Sequence, residues 1–350
     1  MVDAPAATTA PSNALTPGRP LRRTKISALA TYVPPRVLTN KDLEGLVDTS
    51  EEWIIQRTGI RERHIADPGV GTSALAVEAA RAAIAQAGLT PADITFIVVG
   101  TTTPDMFFPS TACLVQHALG ASSAWGFDLA GACSGFTFSL SVGAQMVASG
   151  AHEHALVIGA DIMSSIIDYT DRATCILFGD GAGAAVVSAA AAADDLGIID
   201  WAHQVDGSGG AALCMPAGGS RQPASIDTVQ HRLHYVKQDG QSVFKFAVKN
   251  TEDICRRLLE KNGIRPEQVD LFVSHQANRR IITSAADRMG LDPAKVMINI
   301  EKYGNTTAAT IPLALDDARR EGRLKRGDLV LLASVGAGFT VGSVLLRWAC

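Results

Sequence analysis

Three residues combine a reactive or hydrogen-bonding side chain with a setting that would present it to a substrate. Cys133 stands in Gly131-Ala132-Cys133-Ser134-Gly135-Phe136, where glycines on both sides permit a tight turn and close approach of a ligand. A strand-forming run precedes it and a helix-forming run follows. A cysteine at a helix start meets unpaired N–H groups and the positive end of the macrodipole, which favour thiolate over thiol. The expectation is a nucleophile active near neutral pH; a buried structural cysteine is the competing account. His275 lies in Val273-Ser274-His275-Gln276-Ala277-Asn278, directly after a second strand-forming run. Loops at the carboxyl ends of strands are where α/β proteins gather reacting groups. Asn305, in Gly304-Asn305-Thr306-Thr307, is either a turn or N-cap residue or a donor to a reacting oxygen. Of the remaining histidines, His64, His152, His154, His203, His231 and His234 read as surface residues, and His117 sits on a helix without special neighbours.

The elements that must position these residues occur twice. Gly88-Leu89-Thr90-Pro91-Ala92-Asp93-Ile94-Thr95-Phe96-Ile97-Val98 repeats, 175 residues later, as Gly263-Ile264-Arg265-Pro266-Glu267-Gln268-Val269-Asp270-Leu271-Phe272-Val273. In each copy a helix stops at glycine, proline bars its continuation, and a buried strand follows. Downstream, strands are expected over 125–130 and 295–300, each leading through a glycine turn into a helix and then a further strand. This predicts two pseudo-symmetric halves, with Cys133 and Asn305 at corresponding helix starts that face one another. The expected organisation is a disordered tail over 1–24, a half carrying the cysteine over 25–195, and a half carrying His275 and Asn305 over 196–350.

Composition removes several classes. Of 350 residues 47% are hydrophobic, enough for a sizeable core, and 31 basic against 35 acidic residues leave a net charge of −4. That balance argues against a nucleic-acid partner, and no apolar run reaches the roughly 20 residues of a spanning helix. Six scattered cysteines without a C-x-x-C fit neither a metal framework nor a disulfide scaffold, and suit a reducing cytoplasm. Phe178-Gly179-Asp180-Gly181-Ala182-Gly183 lacks the third glycine of a dinucleotide fingerprint and is followed by a strand-like run, so a strand–turn–strand connection is expected there.

Six ordered stretches together resemble the β-ketoacyl-acyl-carrier-protein synthase III family. They are Thr49–Ile54 leading to Arg57-Thr58-Gly59-Ile60-Arg61-Glu62-Arg63; Gly131–Phe136; Phe178–Gly183; His275-Gln276-Ala277-Asn278; Gly304-Asn305-Thr306; and Gly336-Ala337-Gly338-Phe339-Thr340. The resemblance runs from about Lys25 to Trp348. It implies a thiolase-like α/β fold, five-layered αβαβα, and a Cys133–His275–Asn305 site. Cys133 would take an acyl group from acyl-CoA. Malonyl thioester on acyl carrier protein would lose CO₂, with His275 and Asn305 donating to the oxygen where charge develops. The backbone N–H groups of Cys133 and Ala337 would hold the acyl oxyanion. Ala337 departs from the glycine common in the family, which puts the geometry of that loop in question.

The resemblance further assigns Trp53, Arg57 and Arg172 to coenzyme A, with core packing the other account of Trp53. It gives Phe108 to the acyl pocket of a neighbouring subunit, hence a homodimer, and Lys245, Lys249, Arg279 and Arg280 to docking of acyl carrier protein. It implies no metal and no resident cofactor, and no membrane or nucleic-acid partner. One rival keeps the fold but makes a secondary metabolite, as a polyketide starter enzyme or an ester-forming acyltransferase. A biosynthetic thiolase is disfavoured because the 336–342 loop holds no second cysteine. A cysteine hydrolase, suggested by the Gly131-x-Cys133-x-Gly135 elbow, and an inactive partner subunit complete the alternatives.

Overall fold

The computed structural model describes residues 21–191 and 194–350. The first sheet is built from β1 (Thr24–Tyr32), β2 (Phe96–Gly100), β3 (Trp125–Leu129), β4 (His154–Ile162) and β5 (Asp180–Ala189), in the order β1-β5-β4-β2-β3. The second contains β6 (Gly197–Val205), β7 (Leu271–Ser274), β8 (Leu329–Gly336) and β9 (Thr340–Arg347), in the order β7-β8-β9-β6. Strand β2 pairs parallel to β3 and β4, and β7 parallel to β8; the remaining pairs are antiparallel.

Helices fill three layers around these sheets. Alpha helices α1 (Glu51–Thr58), α2 (Thr72–Gln86), α3 (Thr111–Leu119), α4 (Gly135–Ala148), α5 (Gly240–Lys261), α6 (Arg279–Met289) and α7 (Thr310–Arg320) are the main ones. Strand residues alternate faces. Phe96 and Val98 turn inward with Phe136, Leu140, Ile311 and Leu315 of α4 and α7, which also meet Val273, Val330 and Val344 of the second sheet. Ile97 and Val99 turn outward against α2 and α3, and Phe272 and Leu331 against α5 and α6. The five layers are therefore helices, sheet, α4 with α7, sheet, helices. Helix α4 carries no charged residue, as a helix enclosed on both sides requires.

The repeat is geometric, with a shift in register. The offset that superposes Phe96 on Leu271 also brings the start of β4 onto β8 and carries the Ala132–Ser134 turn onto Thr307–Ala309. These two single-turn helices pack against each other at the centre. Cys133 thus corresponds to Ala308; Asn305 lies three residues earlier, which corrects the expected correspondence. Close approach at this centre demands glycine. A Cβ on Gly159 would lie 2.3 Å from the Ala308 carbonyl oxygen.

Other expectations change in detail. The expected strand over 295–300 is reduced to a bridge between Phe272 and Val296, followed by a short helix from Ile300. Its pairing groups are taken by the buried Gln276 side chain, which donates to Met297 O at 3.2 Å and accepts from Asn299 N at 3.1 Å. The Phe178–Gly183 stretch is no strand–turn–strand connection, because β5 runs unbroken from Asp180. A Cβ on Gly183 would lie 2.3 Å from the Pro312 side chain, so glycine there admits α7. The Asp180 carboxylate accepts from Ala66 N and Ser164 and is held within the protein. Residues 1–20 of the expected tail lie outside the described residues. Its last residues belong to the folded unit: Thr24 opens β1, and Arg22 donates to the carbonyls of Val147 and His152. Among the described residues, no helix is long and apolar enough to cross a membrane.

Candidate active site

Cys133, His275 and Asn305 line one cavity of about 490 Å³, although they come from three separate connections. Each is at least nine-tenths buried. Cys133 follows Ala132, whose φ of +47° is a left-handed conformation forced on a non-glycine residue. That bend is tied to the opposite half: Thr340 Oγ1 donates to Gly131 O at 2.9 Å, and Ser134 Oγ donates to Thr340 O at 3.3 Å. The thiol does not match the expected ready thiolate. Burial pushes it up to about 12, the Asp161 carboxylate adds to the rise, and only the residue's own backbone N–H opposes it. The start of α4 is therefore insufficient to ionise Cys133 in the free protein, and the thiol needs a base.

His275 can serve as one. Its backbone N–H donates to Ala333 O at 2.7 Å, which extends the β7–β8 pairing by one residue and aims the ring into the cavity. Burial pushes the imidazole down to about 3, so it is neutral throughout the physiological range. Its Nδ1 lies 2.7 Å from the Thr310 hydroxyl, which is also 3.0 Å from Thr307 O. A single hydroxyl proton serves those two neighbours. Given to Thr307 O, it leaves Nδ1 protonated and Nε2 free as a base; given to Nδ1, it leaves Nε2–H as a donor.

Asn305 is oriented by its own turn. Thr307 N donates to its Oδ1 at 2.9 Å, so the amide oxygen is used locally and the NH₂ group is the end available to the cavity. Its backbone bridges to the strand entrance: Asn305 N donates to Leu177 O, and Gly179 N to Asn305 O. The rest of the His275-Gln276-Ala277-Asn278 stretch is explained by support. Asn278 caps α6 through Arg280 N and donates to Arg57 O at 3.0 Å, joining the halves at the rim.

Ala337 itself takes no left-handed conformation. Among the described non-glycine residues only Ala132, Arg232 and Thr307 have positive φ, and the turn's left-handed step falls on Gly338 at +136°. Ala337 therefore loses nothing to its methyl group, and its N–H has no backbone acceptor among the described residues. Gly336 beside it is constrained, since a Cβ there would lie 2.7 Å from Cys133 N. Phe339 N donates to Asp206 O at 2.6 Å, and Asp206 N to Phe339 O at 2.8 Å.

At the mouth, Trp53 and Arg57 line the cavity, and the guanidinium groups of Arg57 and Arg172 lie 5.6 and 4.8 Å from the Trp53 ring centre. Arg172 also donates to Asp48 O. A planar base held between Trp53 and Arg172 needs about 7 Å, two van der Waals contacts of about 3.5 Å each, so Arg172 must swing outward to admit one. Arg280 lines the rim and stacks 5.5 Å from Phe244. Lys245 and Lys249 are exposed one turn apart on α5, which packs against α6. Arg279 is exposed and pairs with Glu301 at 3.6 Å. Phe108 lies outside the cavity and is 84% exposed.

Several contributors have supporting roles that the motifs alone do not assign. Thr310 contacts His275, and Asp161 holds the turn after Asn305. Arg63 is fully buried and donates to Asn40 Oδ1 and Ile176 O, bracing the wall that pairs with Asn305. His152 is not the surface residue expected, being buried; His203 is exposed on β6 as expected, with its Nε2 2.7 Å from Ser141 Oγ. No group of three or more His, Cys, Asp or Glu among the described residues could hold a metal ion.

Comparison with known proteins fits this arrangement. Residues 127–207 match the family model for 3-oxoacyl-[acyl-carrier-protein] synthase III, and residues 259–348 match the model for its C-terminal part. A β-ketoacyl-[acyl-carrier-protein] synthase III of Solibacter usitatus is 61% identical over 328 residues, which cover 93% of this chain and 99% of the relative. The crystal structure of 3-oxoacyl-[acyl-carrier-protein] synthase III from Aquifex aeolicus superposes with a TM-score of 0.85 at 44% identity, covering 93% of this chain and all of that one. The priming β-ketosynthase of the R1128 polyketide pathway gives a TM-score of 0.86 at 37% identity, covering 95% of this chain and 99% of that one.

Proposed function

Because the chain belongs to the β-ketoacyl-[acyl-carrier-protein] synthase III family, we propose that its cavity joins an acyl-CoA starter to malonyl-acyl-carrier protein by decarboxylative condensation, initiating fatty-acid synthesis. The observation that carries this reading is the meeting of a thiol, a neutral imidazole and an inward-facing amide NH₂ in one buried space. Among the described residues no Asp or Glu lines the cavity, so the developing enolate faces donors and no carboxylate.

In the first half-reaction Cys133 Sγ attacks the thioester carbonyl of acyl-CoA. Its proton passes to Nε2 of His275 as the S–C bond forms, and then to the departing CoA sulfur. Moving the proton during attack avoids the buried thiolate that this site disfavours. The N–H groups of Cys133 and Ala337 hold the oxyanion. In the second half-reaction malonyl thioester occupies the same channel. Its C–C bond to the carboxylate breaks, CO₂ leaves, and the electron pair moves to the thioester oxygen, held by Nε2–H of His275 and the NH₂ of Asn305. The enolate carbon attacks the acyl-enzyme, and the Cys133 sulfur leaves and takes up one proton from solvent, the proton that decarboxylative condensation consumes. Coenzyme A enters as substrate, so the reaction needs no resident metal or cofactor.

Trp53, Arg57 and Arg172 hold the nucleotide end of coenzyme A, and Lys245, Lys249, Arg279 and Arg280 receive the acidic carrier protein. The nucleophile half spans 25–195 and the His275–Asn305 half 196–350. Phe108 reaches the acyl pocket of a second copy. Among the described residues strand β3 is an unpaired edge of its sheet and exposes Trp125 and Phe127, and Phe107 and Phe108 are exposed on the loop between β2 and α3, which supports a homodimer. A cytoplasmic enzyme suits its soluble substrates. Intact-protein mass spectrometry after incubation with a panel of acyl-CoAs tests the reading: one starter should add its acyl mass to the protein and not to Cys133→Ala. No adduct from any acyl-CoA would reject it.

A further inference from the structure

Asp161, near the end of β4, has no exposed surface. Its Oδ1 accepts from Thr101 Oγ1 at 3.0 Å, Thr102 N at 2.8 Å, Thr102 Oγ1 at 3.2 Å, Thr103 N at 3.2 Å and Thr103 Oγ1 at 2.9 Å. Its Oδ2 faces the other half, where it accepts from the Thr307 hydroxyl and from Ala308 N at 3.2 Å. Thr307 is β-branched and held at φ +47°, a conformation that persists only where neighbours over-determine it. Its N–H donates to Asn305 Oδ1 and its hydroxyl to Asp161, while its carbonyl accepts from Thr310.

We infer that Asp161 is the positioning residue of the decarboxylation step, fixing through Thr307 and Ala308 the direction in which Asn305 presents its NH₂ group. The inference rests on the proposed role of Asn305. The other carboxylate oxygen holds the 101–103 segment that leads to Phe108, so one buried side chain sets the acyl-pocket loop and the enolate donor in common register.

The two oxygens differ in a way that makes Asp161→Asn selective. Two backbone N–H groups converge on Oδ1 and only one on Oδ2. The variant's amide oxygen therefore keeps the Oδ1 position, and its NH₂ faces the Ala308 N–H, donor against donor. The 101–103 segment stays anchored while the Asn305 turn is released. Asp161→Asn should lose CO₂ release from malonyl thioester by about 10²-fold, the usual consequence of a group displaced by about 1 Å, while acylation of Cys133 is not slowed in step with it, since loss of the Asp161 charge favours ionisation of the thiol. Because Asp161 acts through Asn305, adding Asp161→Asn to Asn305→Ala should cost nothing further in CO₂ release. Thr307→Val, which removes the hydroxyl and leaves the carboxylate, should show the same split and decides the matter alone if Asp161→Asn does not fold. Wild-type CO₂ release by a folded Asp161→Asn, equal loss in both half-reactions, or an additive loss in the double variant overturns the inference. Asn305→Ala releasing CO₂ at the wild-type rate overturns the role of Asn305 as well; an impaired Asn305→Ala beside an unimpaired Asp161→Asn removes Asp161 alone.

Discussion

The backbone N–H of Thr307 donates to Oδ1 of Asn305 at 2.9 Å, and this bond decides which end of the amide the cavity sees. An asparagine in a glycine-rich turn usually serves the turn through its oxygen. Here it does that and leaves its NH₂ group as the end available to the cavity, so the turn role and the proposed donor role of Asn305 are compatible.

The state of Cys133 gives the first prediction. With its thiol pushed up to about 12, alkylation of the free enzyme by a small neutral reagent should keep accelerating through the alkaline range, with no plateau below about pH 10. Cys133→Ala should remove both the alkylation and the acyl adduct. A plateau near pH 7 would mean that the start of α4 does ionise the thiol.

A second prediction concerns Thr310. Its hydroxyl sits 2.7 Å from Nδ1 of His275 and can hold either neutral tautomer, one needed for each half-reaction. Thr310→Val should slow acylation and CO₂ release together by about tenfold or more, within the range seen for general acid–base groups. Thr310→Ser should restore both. His275 is neutral down to about pH 3, so its own protonation should cause no acid limb between pH 5 and 8. Undiminished rates in Thr310→Val would show that the ring is held and protonated by other means.

Carrier-protein docking at the rim is electrostatic on this account. Lys245, Lys249, Arg279 and Arg280 are exposed on neighbouring helices, in a chain whose net charge is −4. Raising salt well above physiological strength should weaken condensation with malonyl-carrier protein and change acylation by acyl-CoA much less. Lys249→Glu should act in the same direction at low salt. Equal salt dependence of the two steps would contradict the docking face.

The meeting of Cys133 and His275 in one cavity and the duplicated architecture are legible in the sequence because each has a local signature: glycines around Cys133, a strand ending before His275, and a helix–glycine–proline–strand run that recurs. The supporting residues have none. Asp161 lies in an apolar strand, and its partners Thr101 and Thr307 are 60 and 146 residues away in the chain. Polarity inside the core becomes meaningful only when folding brings seven donors to one carboxylate. The ionisation of Cys133 is misjudged from local pattern for the same reason. A helix end is a local feature, whereas burial and the Asp161 charge come from the packed halves. The strand expected over 295–300 is lost to Gln276, whose long side chain does the work of a pairing backbone.

The most direct test of the account is release of labelled CO₂ from malonyl thioester by Asn305→Ala and Asn305→Asp. The aspartate variant keeps the oxygen that receives the Thr307 N–H, so its turn is preserved and only the inward donor is replaced. Both variants should still form the acyl adduct on Cys133. Both should release CO₂ about 10²–10³-fold more slowly than the wild type, the scale for removing one oxyanion donor. Wild-type CO₂ release by either variant would make Asn305 a turn residue alone and contradict the proposed mechanism.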